Sequence, residues 1–497
     1  MSLIPIGYKA ICEQLCLKTP PHYRESYITT LGRGKVNKIG PHETHLYPKS
    51  YALTDPTDPL ENLAFALKYD GMNFAIIKAL YERIEKNQVT DYIHKQPTGI
   101  YARKIWFLYE FFMQERLDLT DCQRVKYVEL LDPKTYFTST PIKSTRHGVY
   151  NNLLGNMQFC PFIRRTNILD NYITACLDEK VQRVLKKYDP YVVGRACNYL
   201  YAKETMSSYA IEREKPDKSR IARFIQLLEQ TTTIQTLSKE KLIELQNIIV
   251  DPRFRDVDYR HTQNYVGENI SHYFQKIHYI SPKPTDVPEL MQGLLNTLNN
   301  LLNTAVHPVI IAAAISFGFV FIHPFEDGNG RLHRFLIHYI LSKTAFTPQN
   351  IIFPVSSVML NNMRNYDAAL ESFSKPLLSV LQHYDLSDDG IMIVNQENKL
   401  FYQYIDFTFL AEYLFGCIEE AIEIHIEQEI LFLIRYDATK NAIQEFIDMP
   451  DHKIDLLIKC VIQNQGQLST QKKKRFFPFL TEDETQQLVT LIRDHMQ

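Results

Sequence analysis

The residues best suited to chemistry lie in one short segment, 323–334, with the sequence HPFEDGNGRLHR. It follows the most apolar stretch of the chain, 309–322, so a buried helix is expected to end beside an imidazole, His323. Glycines in the turn that follows permit positive φ angles and let a ligand approach the backbone. The segment therefore predicts a turn between two helices, with a histidine next to accessible backbone.

The same turn has the features of an anion-binding site. The backbone amides of residues 328–330 would lie at the N-terminus of the second helix, where the helix dipole favours negative charge. Arg331 and Arg334 are three residues apart, so both would lie on one face of that helix. Asp327 offers the single carboxylate that Mg²⁺ uses when phosphates supply its other ligands. Together these residues predict a phosphate site with a metal ligand and an imidazole.

The segment resembles the signature of the Fic family, His-Pro-Phe-x-Asp/Glu-Gly-Asn-Gly-Arg-x-x-Arg, and every fixed position of that signature is present. The segment YRHTQNYVGE, residues 259–268, followed by residues 279–284 and a helix from 287, resembles the family's flap and the helix after it. We place the flap near 276–284. The resemblance covers roughly 198–384. It implies a mainly helical fold, with a helical Fic core, a small β-hairpin flap, and helical N- and C-terminal regions.

The resemblance also implies a function, that of a protein adenylyltransferase. Such an enzyme transfers AMP from Mg-ATP to Tyr, Ser or Thr hydroxyls of target proteins, or of the chain itself. His323 would be the general base, a role that suits the unperturbed pKa of histidine. Asp327 would hold Mg²⁺. The phosphates would be bound by the rest of the motif, with the Asn329 side chain helping and Arg334 reaching the γ-phosphate: Gly328, Asn329, Gly330, Arg331 and Arg334.

A second family pattern, Ser/Thr-x-x-x-Glu-Gly/Asn, marks an inhibitory helix in many Fic enzymes. Residues 208–212 match its first five positions, with Ser208 and Glu212 at the two fixed ones. They lie in a segment with helical character that precedes the motif. Arg213 departs from the pattern, which has Gly or Asn there. The resemblance implies that Glu212 pairs with Arg334 and so competes with a phosphate for the same bidentate donor.

Helical periodicity dominates the rest of the chain. We predict three parts: an N-terminal helical region at 1–197, a Fic domain with the inhibitory helix at 198–385, and a C-terminal helical region at 386–497. Asp217 and Ser238 are expected to be helix N-caps. His333 and His338 are interpreted as ordinary histidines, because a spacing of five does not suit a metal pair on one helix face.

Composition limits the partners of the protein. The formal net charge of the 497 residues is −2, so no overall charge attracts the chain to nucleic acid or anionic lipid. Eight scattered cysteines without zinc-site spacing predict reduced thiols and a cytoplasmic protein. Residues 1–18 lack the pattern of a secretion signal, and the apolar stretch 309–322 is short for a bilayer span, so no membrane association is expected.

Two alternatives remain open. Other Fic enzymes remove AMP or transfer phosphate, uridylate or phosphocholine; the phosphate-transferring toxins typically have Lys at the second motif glycine, so Gly330 favours nucleotidyl transfer. A different alternative is a nucleic-acid-binding regulator, acting through the basic run 472–475 of the C-terminal region. The near-zero net charge favours a solvated charge run there instead. The target, the acceptor hydroxyl, the nucleotide and the oligomeric state, a homodimer included, are left open.

Overall fold

Helices form most of the protein in the computed structural model, which describes residues 3–29, 34–39, 42–271, 274–387 and 389–496. The prediction of a mainly helical chain with a small hairpin is confirmed. The strands of the described residues pair into small sheets, with the bounds β1 Leu3–Ile6, β2 Arg24–Thr29, β3 Lys35–Ile39, β4 His42–Pro48, β5 Val128–Glu129, β6 Ile142–Ser144, β7 Val149–Asn151, β8 Tyr265–Ser271, β9 Phe274–Ile280, β10 Tyr384–Leu386 and β11 Met392–Val394.

The N-terminal part contains two sheets that helical periodicity did not reveal, and the description of 1–197 as helical is corrected in this respect. One sheet has the strand order β1-β2-β4-β3 and the other β5-β7-β6. Their strands have two to seven residues, too short and too polar for a clear alternating pattern. The sheets flank a helical core around Phe74 and Trp106. The helices are α1 Tyr8–Gln14, α2 Pro59–Tyr69, α3 Phe74–Tyr81, α4 Lys86–Lys95, α5 Ile100–Met113, α6 Asn167–Thr174 and α7 Leu177–Leu185.

The central part surrounds one apolar helix, which runs over Pro308–Ile322 and is buried on nearly every face. Asp217 and Ser238 cap the two helices for which they were predicted. The predicted boundary at 197 falls inside a single helix, and the domain limits otherwise stay a prediction. The helices are α8 Pro190–Ile211, α9 Lys218–Glu229, α10 Lys239–Ile249, α11 Val287–Leu301, α12 Pro308–Ile322, α13 Asn329–Lys343, α14 Val355–Asn361 and α15 Met363–Val380.

The C-terminal part continues the central core and then forms a small core of its own. Phe415 and Ile422 are buried against the central helices, whereas Leu457 and Leu488 belong to the separate terminal cluster. No helix in the described part of the chain is long and apolar enough to span a bilayer. The helices are α16 Lys399–Gln403, α17 Thr408–Glu420, a π-helix Ala421–Ile426, α18 Glu427–Phe446, α19 Asp451–Gln463, α20 Thr470–Phe476 and α21 Glu482–Met496.

A polar seam joins α8 to α13. Glu204 and Ser208 are four residues apart on α8, and they contact His338 and Arg334, which are four apart on α13. Glu204 is 1% exposed, and its carboxylate accepts hydrogen bonds from Nε2 of His338 at 2.7 Å and from the backbone N–H of Ser356 at 2.8 Å. Because buried polar groups are costly without partners, this seam determines where α8 ends relative to α13.

We predict that Glu204→Gln lowers the free energy of unfolding by about 1–3 kcal/mol, because the new NH₂ group faces donors in place of an acceptor. Urea denaturation measures the change. Glu244→Gln is the matched control, since that side chain is 58% exposed on α10 and should change stability by less than about 0.5 kcal/mol. Equal urea unfolding midpoints for Glu204→Gln and the control would contradict a stabilising role of the Glu204 contacts between α8 and α13.

Candidate active site

His323 ends α12 and has a proton acceptor available. Its backbone is left-handed, with φ 53° and ψ 60°. Nδ1 lies 3.1 Å from the carbonyl oxygen of Val320, and because a carbonyl only accepts, Nδ1 carries the proton and Nε2 does not. Burial lowers the pKa of His323 to about 4, so the ring is neutral at physiological pH. The imidazole can therefore take a proton from a neighbouring group.

Asn329 closes the motif loop. Its Oδ1 accepts from the backbone N–H of Phe325 at 3.0 Å, and its Nδ2 donates to the carbonyl of Phe325 at 2.7 Å. The prediction that this side chain helps to bind phosphate stays a prediction; in this structure its Oδ1 and one N–H of Nδ2 are used within the loop. Phe325 is fully buried and anchors the loop in the core, as expected.

The first turn of α13 lies against a carboxylate. Gly328 has φ 90° and precedes the helix, so its backbone takes a conformation that favours glycine. A Cβ atom at Gly330 would lie 2.1 Å from Oε1 of Glu212. Only glycine at this position lets an acidic group approach the helix N-terminus so closely. The amides predicted to bind an anion thus have an anionic group beside them.

Arg334 is fully buried and pairs with that carboxylate. Its Nη2 donates to Oε1 of Glu212 at 2.7 Å, and its Nε donates to Oγ of Ser208 at 2.8 Å. The Glu212 side chain is 34% exposed. Burial acts to raise the pKa of Glu212, but the charge of Arg334 outweighs it and the pKa is lowered. The predicted contact between Glu212 and Arg334 is present in this structure.

Glu214 is a second carboxylate in the site, which no sequence motif singled out. Nη1 of Arg331 donates to Glu214 at 3.2 Å, and Nη2 lies 2.7 Å from the other carboxylate oxygen in an ion pair. Nη2 of Arg220 also donates to Glu214 at 2.8 Å. This pairing uses the edge of Arg331 that a phosphate would need. The alternating charges of residues 212–215 were the signal that could have indicated Glu214.

Asp327 is paired with Arg331. Its Oδ1 accepts from Nη2 of Arg331 at 2.7 Å and from the backbone N–H of Gly328 at 2.6 Å. No group of three or more His, Cys, Asp or Glu side chains suited to a metal occurs among the described residues. A lone carboxylate beside an anion site fits Mg²⁺ when phosphates and water supply the remaining ligands. Asp327 thus fits a metal that arrives with a nucleotide.

Arg213 occupies the position where the inhibitory pattern has Gly or Asn. It follows the end of α8 and has φ 57°, in the left-handed region that glycine and asparagine adopt most readily. An arginine costs about 1–2 kcal/mol there. The chain therefore keeps the backbone of the pattern while changing the residue, and Glu212 still lies at the C-terminus of α8.

A cleft of about 500 Å³ opens beside His323, between the β8–β9 hairpin and α15. Its volume falls within the range of about 300–1,000 Å³ that is typical of small-molecule sites. The cleft places a nucleoside-sized space next to the imidazole. Its lining includes Val266, Tyr279, Val320, Phe321, Leu370 and Ser374.

Comparison with known proteins agrees with this geometry. Residues 236–341 match the sequence profile of the Fic/DOC family. The protein adenylyltransferase Fic of Drosophila grimshawi is 36% identical over 105 residues, which are 21% of this chain and 19% of that protein. The protein of the same name from Drosophila melanogaster has the same identity over the same shares. The match thus spans about a fifth of the length of these curated relatives.

Among solved structures, a Fic family protein from Desulfovibrio desulfuricans is 18% identical, with a TM-score of 0.38 over 66% of this chain and 85% of that chain. The sequence match is the stronger finding, because it includes the motif from His323 to Arg334 in full. Residues 236–341 of this chain are a Fic domain.

Proposed function

We propose that the chain is a protein adenylyltransferase, which transfers AMP from Mg-ATP to a Tyr, Ser or Thr hydroxyl of a target protein or of itself. One observation carries the proposal: a neutral imidazole, with Nε2 free, lies beside a helix N-terminus and two buried arginines. The Fic domain and the names of its relatives support the same reaction.

We propose a reducing compartment, such as the cytoplasm, for this protein. The eight cysteines of the chain are all free thiols, which supports that location.

In the proposed reaction, the acceptor hydroxyl oxygen attacks the α-phosphorus of ATP. The bond from that phosphorus to the bridging oxygen breaks, and pyrophosphate leaves with the electron pair. Nε2 of His323 takes the hydroxyl proton. The amides of 328–330, together with Arg331 and Arg334, neutralise charge on the phosphates, which is the main catalytic contribution in such transfers. Bound Mg²⁺, held by Asp327, would add positive charge beside the phosphates.

We propose further that the chain inhibits itself in the arrangement seen here. Glu212 lies against Gly330 and pairs with Arg334, so its carboxylate takes the place that a phosphate needs. Glu214 takes the fork of Arg331 in the same way. A carboxylate and a phosphate compete for the same donors, because both are anions suited to bidentate pairing with a guanidinium. ATP binding in a productive pose then requires both carboxylates to move away.

We predict that Glu212→Gly raises AMP transfer by about ten- to hundredfold, the equivalent of one charge-assisted hydrogen bond. His323→Ala in the same background should lose about 10²–10⁴-fold, the usual contribution of a general base. Incorporation of α-labelled phosphate from ATP into protein measures both. Lys215→Gly, an exposed position in the same loop, is the control and should match the unmodified protein. Equal incorporation by Glu212→Gly and the control would remove Glu212 from the mechanism.

We predict a further gain for Glu214→Gln when it is combined with Glu212→Gly, because Arg331 then loses its charged competitor. The KM for ATP should fall by about three- to tenfold relative to Glu212→Gly alone, a partial loss of one ion pair. Glu244→Gln in the same background is the control. A higher KM in the double variant would instead show that Glu214 holds Arg331 ready for the nucleotide.

The alternative reactions have distinct outcomes in the same assay. Label from γ-labelled ATP or from another nucleotide, with none from α-labelled ATP, would assign a different transfer. Release of AMP from a modified protein would assign removal. No contact in the described part of the chain favours nucleic-acid binding, and within the basic run Lys473 pairs with Glu482.

A further inference from the structure

Arg260 lies just before β8 and joins the hairpin to the motif loop. It is 3% exposed, and its Nε donates to the carbonyl oxygen of His323 at 2.7 Å. Its own backbone N–H donates to the carbonyl of Pro324 at 2.8 Å. Nη2 donates to the carbonyl of Pro282, which follows β9, at 2.6 Å, and Nη1 donates to the carbonyl of Thr262 at 2.6 Å. One residue thus binds both ends of the hairpin and the backbone of His323.

The contacts of Arg260 belong to a set of donors that cap the C-terminal end of α12. The last carbonyls of a helix have no partners within the helix. Here the hydroxyl of Tyr279 on β9 donates to the carbonyl of Phe321. In the loop beyond the helix, Nδ2 of Asn264 donates to the carbonyl of Phe325 at 3.1 Å. A positive charge at this end also suits the helix dipole. The hairpin therefore determines the path of the loop on which His323 lies.

The charge of Arg260 faces carbonyl oxygens alone. Within the described residues, no carboxylate lies within ion-pair distance of its guanidinium, and its three side-chain hydrogen bonds all end on carbonyls. Burial lowers its pKa to about 10, which leaves it protonated at neutral pH. An unneutralised cation next to His323 disfavours a second positive charge on the imidazole.

We propose that Arg260 is a positioning residue for the base: it fixes the left-handed backbone of His323 and disfavours a positive charge on its imidazole. Arg260 also connects His323 to the hairpin, because the same guanidinium binds both ends of the hairpin. A displacement of the hairpin would then change the geometry of the base. This inference rests on the proposed role of His323 as the general base. It adds that Arg260 positions His323 for that role.

The groups around His323 give the direction of the expected effect. Burial is the largest cause of its lowered pKa, and the hydrogen bond to the Val320 carbonyl acts against it. The charge of Arg260 lowers the pKa further, whereas Glu212 and Asp327 raise it. Removal of the Arg260 charge leaves two carboxylates and therefore raises the pKa of His323. A reaction that needs the unprotonated ring slows below the pKa of His323. The pH at which its rate begins to fall therefore moves upward. Burial raises the pKa of Tyr279, and the charge of Arg260 acts against that rise. The other ionisable groups that line the cleft keep their identity in this variant: Arg213, Glu268, His278, Tyr279, Asp367 and Glu371.

The test is an NMR titration of His323 in the nucleotide-free protein, with His323→Ala to assign the signal. Arg260→Gln should raise the pKa of His323 by about 1 unit or more, the effect of losing one close charge. Arg260→Lys keeps the charge and should leave the pKa within about 0.5 unit of the unmodified protein. Arg253→Gln is the control, because that side chain is 79% exposed nearby and should change nothing. An unchanged pKa in a folded Arg260→Gln protein would overturn the proposal.

Transfer kinetics in the Glu212→Gly background supply the second readout. Arg260→Lys should lower kcat by about tenfold with little change in the KM for ATP, because Lys cannot reach three carbonyls in fixed directions. If Arg260→Gln does not fold, the kcat of Arg260→Lys still tests the proposal. An unchanged kcat in that variant overturns it. If no variant transfers AMP at all, the proposed function fails, while the titration still tests Arg260.

Discussion

The buried guanidinium groups of Arg331 and Arg334 are each paired with an anion, and this pairing organises the phosphate site. Arg331 and Arg334 are 1% and 0% exposed, so neither can rely on water to solvate its charge. An unpaired charge at such a position costs several kcal/mol. Each arginine is therefore paired either with a carboxylate of the chain or with a bound phosphate. The same physical need that makes the site a strong phosphate receptor makes it accept Glu212 and Glu214 when no phosphate is present.

The surrounding helices and the hairpin position the groups that allow a carboxylate and a phosphate to replace each other at these arginines. Gly330 has no side chain, so the end of α8 can bring a carboxylate against the first turn of α13. The buried contact between Glu204 and His338 keeps the two helices in register two turns away. On the other side, the hairpin caps α12 and orients His323 through Arg260. The base and the phosphate site are thus built by different parts of the chain and meet at one short loop.

Local features of the site were predictable from the sequence, and features that depend on distant contacts were less so. The buried helix before His323, the glycine turn and the caps Asp217 and Ser238 depend on neighbouring residues, and all are present. The pairing of Glu212 with Arg334 spans 122 residues and was predictable only through a family pattern. Arg260 matches no local pattern that marks a role and Glu214 only a run of alternating charges, because their partners lie 63 and 117 residues away.

Two observations go beyond what the sequence predicts, for different physical reasons. The Asn329 side chain closes the motif loop through hydrogen bonds to Phe325, and its expected help in binding phosphate stays a prediction. The strands of the N-terminal part were missed because short, polar strands are stabilised by partners far along the chain, as where β2 pairs in parallel with β4. Local propensity carries little information about such pairings.

The central claim is that Glu212 and a nucleotide phosphate compete for Arg334. Isothermal titration calorimetry with Mg-ATP tests it directly in the His323→Ala protein, which cannot turn the nucleotide over, with and without Glu212→Gly. The account predicts that Glu212→Gly binds Mg-ATP at least about tenfold more tightly, as expected when one ion pair no longer has to be broken. Equal affinities with and without the Glu212 carboxylate would contradict it.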